Sequence, residues 1–136
     1  MRVVVDINII VSALIVAIGN PAVIIDAWLD GKFTLLTCAE HLDELRETLQ
    51  KPNLAELIKP HKAGRLVNQL KKLAESIDEL PNVQRSSDPD DDYLLALAEA
   101  GRADYLVTGD KSGLVALGRH KGTHIISAKD FVALIP

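Results

Sequence analysis

Cysteine, methionine and tryptophan occur once each in this sequence, and aromatic residues make up only 4% of it. The lone Cys38 excludes an internal disulfide framework and every zinc motif that needs several thiolates, and it reads as a small buried apolar residue. Long apolar runs are missing too. No stretch reaches 18 uninterrupted apolar residues, so no transmembrane helix is expected. Met1 to Gly19 imitates a signal peptide, but Asp6 and Asn8 interrupt it, and a carboxylate at the centre of a spanning helix costs about 2.5–3.5 kcal/mol. The chain is expected to be cytoplasmic, to begin at Met1 and to have no membrane partner. No glycine-rich phosphate loop occurs, nor any Ser/His/acid or Cys/His constellation for acyl transfer. His41, His61, His120 and His124 lack zinc-ligand spacing and read as surface or capping residues. Positive charge is also short. Fifteen Lys and Arg face 19 Asp and Glu, a net −4, so a nucleic-acid partner would require a local basic patch.

What is present suits one soluble domain over residues 1–136, with 48% apolar and 25% charged residues. At this size roughly two-thirds of the unfolded surface is buried on folding, which needs no metal or disulfide staple. Arg2 to Val5 is a β-branched run expected to be a central parallel strand. Asn20 and Pro21 cap and open a helix over Pro21 to Asp30, and Phe33 to Thr37 is a second strand. A charged helix spans Ala39 to Leu49 and ends at Lys51-Pro52. Pro60 opens the next, with apolar spacing from Ala63 to Ile77. Asp78 to Pro89 is irregular, with room for one short strand. A helix over Asp90 to Ala100, closed by Gly101, leads to a strand at Asp104 to Thr108, and Asp110 to Leu117 is a short helix. Thr123 to Ile126 is the last strand, and Ser127 with Asp130 starts a terminal helix. Alternation of strand and helix implies an α/β fold with a parallel sheet.

In such sheets ligands bind beyond the carboxyl ends of the strands. Asp6, Asp91 and Asp110 fall at that rim. Each also reads as a helix N-cap or first-turn acid, a purely structural role. Asp6 stands among apolar neighbours, where a carboxylate needs a cation or several donors. In the run Asp88-Pro89-Asp90-Asp91-Asp92, Asp91 shares a face with Leu95 and Ala98, whereas Asp92 looks more exposed. Of Glu40, Asp43, Glu44 and Glu47, all off the stripe Leu42, Leu45 and Leu49, periodicity selects none. Clustered carboxylates favour a hard divalent cation, Mg²⁺ or Mn²⁺, and hydrolysis of a phosphodiester by metal-activated water.

Four segments together resemble the PIN-domain ribonucleases. Val4-Val5-Asp6-Ile7-Asn8-Ile9-Ile10-Val11-Ser12-Ala13-Leu14 is similar to the family's opening Asp-Thr-Asn motif. Glu44-Leu45 best matches the second motif, an acid followed by Leu. Asp88-Pro89-Asp90-Asp91 with Leu95-Ala96-Leu97-Ala98 resembles the third, and Ala103-Asp104-Tyr105-Leu106-Val107-Thr108-Gly109-Asp110-Lys111 the fourth. The likeness is greatest to PIN-family toxins of toxin–antitoxin pairs (VapC-like). It implies a three-layer α/β/α sandwich with a central parallel sheet of four or five strands. It also implies Mg²⁺- or Mn²⁺-dependent cleavage of single-stranded RNA, a small antitoxin partner and a homodimer or higher oligomer. Asp6, Glu44, Asp91 and Asp110 would form the metal-binding catalytic quartet, supported by Asn8 and Thr108. Ile7 departs from the usual Thr, and Ser112 stands where many relatives carry Asp, so a second metal site would be weak or form only with RNA.

Other readings stay open. A haloacid-dehalogenase-type phosphatase also places an Asp after its first strand, but it wants a second Asp where this chain has Asn8. A non-catalytic PIN-like binding module is the third possibility. For RNA, Lys62, Arg65, Gln69 and Lys72 form one stripe on the helix after Pro60, flanked by Lys59 and Lys71. This stripe reads as a phosphate track, a partner surface or a solvated face.

Overall fold

The computed structural model describes residues 1–109 and 113–136. Strand β1 (Arg2–Val5) has Val3, Val4 and Val5 wholly buried, as a strand covered on both faces requires. Asp6 turns it directly into α1 (Ile7–Ile15), followed by α2 (Asn20–Leu29) and β2 (Thr34–Thr37). Next come α3 (Ala39–Leu49), the short α4 (Pro52–Ala55), α5 (Pro60–Leu73) and β3 (Glu75–Ser76). A 3-10 turn at Pro89–Asp91 leads into α6 (Asp92–Ala100) and β4 (Tyr105–Val107). The chain closes with α7 (Leu114–Leu117), β5 (Arg119–His120), β6 (Thr123–Ile126) and α8 (Ala128–Val132). No single described helix is long and apolar enough to cross a membrane.

The six strands among the described residues form one sheet in the order β3-β2-β1-β4-β6-β5. Neighbours pair in parallel except β5, which runs antiparallel to β6 at the edge. Successive side chains of a strand point to opposite faces. Val3 and Val5 therefore join a core with Ile10, Ile24, Trp28, Leu66, Leu70 and Phe131, contributed by α1, α2, α5 and α8. Val4 joins the other core, with Leu94, Leu95, Leu97 and Leu106. The result is a three-layer α/β/α sandwich, with five parallel strands where four or five were expected and an antiparallel edge strand in addition.

Several local readings change. Gly19, at φ 113°, precedes α2, and Asn20 is already helical. α5 stops at Leu73 although its apolar spacing continues to Ile77, so the short strand lies before residue 78 rather than after it. Gly101 ends α6 at φ −85°, not in a left-handed conformation. Its need for glycine is proximity, because a Cβ there would lie 2.6 Å from Leu36 Cδ1. The reading of Asp110 to Leu117 as a helix is met at Leu114–Leu117, while 110–112 lie outside the described residues.

From β1 the chain winds outward to β2 and β3, then returns past β1 to β4 and β6. The strand order reverses between β1 and β4. A crevice at the carboxyl ends of those two strands is where such a sheet binds ligands.

Candidate active site

β1 and β4 pair with Val5 opposite Val107, so the next residues, Asp6 and Thr108, emerge side by side at the switch point. Asp6 is 5% exposed and Thr108 fully buried. The Thr108 hydroxyl donates to Asp6 Oδ2 at 2.8 Å, and the Asn8 backbone N–H donates to Oδ1 at 3.2 Å. The Asn8 bond is a helix N-cap, so the structural and chemical readings of Asp6 coincide. Each carboxylate oxygen has two lone pairs, and these bonds occupy one on each, leaving acceptor capacity for a cation. Ile7, the departure from the usual Thr, is wholly buried in the core beneath α1.

On α3 burial separates the four acids that periodicity could not. Glu40, Asp43 and Glu47 are exposed, and Glu44 is half-buried. Burial raises the Glu44 carboxyl above its ordinary range. The charges of Asp6, Asp90 and Glu47 add to the rise, while the approach of the Tyr93 hydroxyl offsets part of it.

The orientation of α3 depends on a residue that the sequence reading misplaced on the surface. His41 is wholly buried, with Nε2 2.8 Å from the Val5 carbonyl oxygen and Nδ1 2.9 Å from Thr37 Oγ1. A carbonyl can only accept, so Nε2 carries the proton and Nδ1 accepts from the Thr37 hydroxyl. Burial lowers the pKa of His41, which favours this neutral form. His41 thus fastens α3 to the residue just before Asp6, one turn ahead of Glu44. His120 is buried too, at 3% exposed, contrary to the surface reading. Its Nδ1 lies 2.7 Å from Arg85 Nη1 and its Nε2 2.8 Å from Glu99 Oε1.

The acidic run before α6 divides by function. Asp88 caps the 3-10 turn through the Asp90 N–H. Asp92, expected to be exposed, is half-buried and accepts from the backbone N–H groups of Arg85 and Ser86 at 3.0 and 2.7 Å. It pins the preceding loop. Asp91 instead lines a cleft of about 660 Å³ with Asn8, Glu44 and Tyr93, and Asp43, Glu47, Asp88 and Asp90 stand around it. Lys51 is the one cation among the described residues lining this cleft.

The structure therefore brings Glu44, Asp91 and Asn8 to one cleft, beside buried Asp6. Asp110 lies outside the described residues. Among the described residues no three His, Cys, Asp or Glu side chains are already placed to hold a metal ion. The donor chemistry nevertheless fits a hard divalent cation. The donors are all oxygen, neighbouring acids help to raise the pKa of Glu44, and the buried Tyr93 hydroxyl beside it completes no hydrogen bond among the described residues. Tyr93 is a site residue that the sequence reading missed, since its Tyr-Leu-Leu context looks like ordinary helix core. Cys38 is no rival nucleophile, because burial pushes its thiol up to about 12. Lys62, Arg65 and Lys72 are absent from this cleft and stand on exposed parts of α5.

A family model described as a PIN domain matches residues 2–112. The chain belongs to the PIN-domain family. No curated protein and no solved structure gives a significant match. PIN domains are generally metal-dependent nucleases, and the matched span contains all four acids of the expected quartet. α7, β5, β6 and α8 lie beyond it.

Proposed function

We propose that this PIN domain is a Mg²⁺- or Mn²⁺-dependent endoribonuclease acting on single-stranded RNA. The observation that carries the reading is the Asp6–Thr108 pair at the switch point, beside a cleft lined by Glu44 and Asp91. Asp6, Glu44, Asp91 and Asp110 are the residues that would hold the cation. When bound, the cation would supply a water of lowered pKa and offset charge on the phosphodiester. Thr108 and the Asn8 N–H fix the Asp6 carboxylate in one orientation, so little ordering remains at the moment of binding. Lys51 offers a positive charge at the acidic mouth for an incoming phosphate.

A dehalogenase-type phosphatase needs an accessible aspartate oxygen as nucleophile. Asp6 is 5% exposed, with a protein donor on each oxygen, which speaks against that chemistry. A non-catalytic module is separated by assay. Purified protein should cleave an end-labelled single-stranded RNA in Mn²⁺ or Mg²⁺, and neither in EDTA nor as Asp6→Asn. Binding without cleavage in either metal would leave a binding module.

The likeness of the four motifs to PIN-family toxins extends the proposal to a toxin that forms a homodimer and is neutralised by a small antitoxin. Induced expression should then arrest growth, and Asp6→Asn should not. Normal growth with active protein present would remove the toxin role.

A further inference from the structure

The acidic cleft repels the polyanion that the proposed reaction requires, so an RNA strand needs an anchor elsewhere on the molecule. One third of the chain's Lys and Arg residues fall within Lys59 to Lys72, a segment with no Asp or Glu. In the structure Lys59, Lys62, Arg65, Lys71 and Lys72 are all exposed. No side-chain hydrogen bond or ion pair engages any of them among the described residues, whereas the side chains of Arg2, Arg46 and Arg85 elsewhere are engaged. Unpaired cations on one helix make a surface whose charge awaits a partner.

The same face holds a shallow, open depression of about 530 Å³, lined by His61, Gly64, Arg65, Asn68, Gln69, Lys72 and the exposed Leu73. Gly64 keeps it open, with nothing within 4 Å of where its Cβ would stand. Guanidinium and ammonium groups suit phosphates, the two amides suit base edges, and an exposed imidazole can stack on a base. From Lys62 to Lys72 the track is roughly 15 Å long at the helical rise of about 1.5 Å per residue.

Topology gives the track a direction. β2 and β3 are parallel, so the connection between them must carry the chain back from the carboxyl end of the sheet. α5 lies in that connection. Its last residue, Leu73, shares a pocket with Met1 and Thr34 at the amino ends of β1 and β2, so its first turn points toward the end of the sheet where Asp6 and Glu44 stand.

We infer that the exposed face of α5 is a docking track for the backbone of a single-stranded nucleic acid, leading a strand toward the acidic cleft. The inference rests on the nuclease reading for its substrate, and binding tests it apart from cleavage. Affinity of the full chain for a short fluorescein-labelled single-stranded RNA is measured by anisotropy in EDTA over a series of salt concentrations. The variant Lys62→Gln/Arg65→Gln/Lys72→Gln is compared with Lys32→Gln/Lys121→Gln/Lys129→Gln, which removes the same charge from exposed positions off α5. The track variant should bind at least about tenfold more weakly, with its salt slope reduced by about 0.7 per lost phosphate contact. The control should stay within about twofold of wild type. Arg65→Glu alone should show the same direction, which covers a triple variant that folds poorly. Equal losses in the two triple variants, or unchanged affinity in the track variant, would overturn the track and leave this face to a protein partner or to solvent. RNA cleaved normally by an unaffected track variant sinks this inference alone. RNA bound on α5 but never cleaved sinks only the nuclease reading.

Discussion

Thr108 and Asp6, 102 residues apart in sequence, share a 2.8 Å hydrogen bond that joins the carboxyl ends of the two central strands. Parallel pairing of β1 with β4 brings them abreast, and burial removes water as a competing partner. The bond therefore orients a carboxylate that otherwise accepts only from the Asn8 N–H among the described residues. Thr108→Val preserves shape and removes the donor. It should lower stability by about 1–3 kcal/mol in denaturant unfolding and weaken the thermal shift induced by Mn²⁺. Thr108→Ser should restore much of the metal response. An unaltered response in Thr108→Val would reduce Thr108 to a packing residue.

Metal should raise the melting temperature of the wild-type chain, because an unfolded chain has no assembled site. Asp6→Asn should abolish the shift. Without metal the same variant should melt at or above the wild-type temperature, since it removes a charge that acts on Glu44. A full Mn²⁺ shift in Asp6→Asn would place the cation elsewhere.

Glu44 combines a functional requirement with a stability penalty. Its native pKa lies above the ordinary value, so the native state holds this proton more tightly than the unfolded one. The associated stability is present below the ordinary glutamate value and is lost as pH rises through the raised one. Glu44→Gln should thus melt above wild type at neutral pH without metal, and match it near pH 4, close to the ordinary glutamate pKa of about 4.3. RNA cleavage should meanwhile fall severely, whereas the exposed Asp43→Asn and Glu47→Gln should stay near wild type. Equal losses in all three would mean a general charge effect, with no special place for Glu44.

Asp6 and Asp91 could be singled out in the sequence because each breaks a local pattern. Asp6 interrupts an apolar run, and helical spacing aims Asp91 toward packed residues. Glu44 could be chosen only by likeness to a family, because the burial that separates it from Asp43 and Glu47 arises between α3 and other elements. Two-residue strands such as β3 and β5 carry no periodicity at all, and pairing alone makes them strands. His41 was missed for a related reason. A histidine in a charged helix looks solvated, and both of its partners, Thr37 and Val5, precede it on different strands. Asp92 misled in the same sense, since a loop folding back from Arg85 and Ser86 covers it.

His41 supplies the last expectation, a pH dependence of stability. The folded protein holds it neutral between Thr37 and the Val5 carbonyl, with its pKa lowered chiefly by burial. An unfolded histidine takes up a proton below about pH 6.5. Between that value and the lowered native one the unfolded state binds more protons, so stability present above about pH 6.5 is lost as the pH falls. His41→Asn should melt below wild type at neutral pH, through a lost hydrogen bond and imperfect filling of a wholly buried site. Its melting temperature should also vary less over the window just below pH 6.5. Because His41 ties α3 to the residue before Asp6, Mn²⁺ should stabilise this variant less than wild type, although His41 is no ligand. Melting curves at several pH values, with and without Mn²⁺, read both effects. A variant that is merely less stable, with the wild-type pH slope and the full metal shift, would show that His41 packs α3 without positioning Glu44.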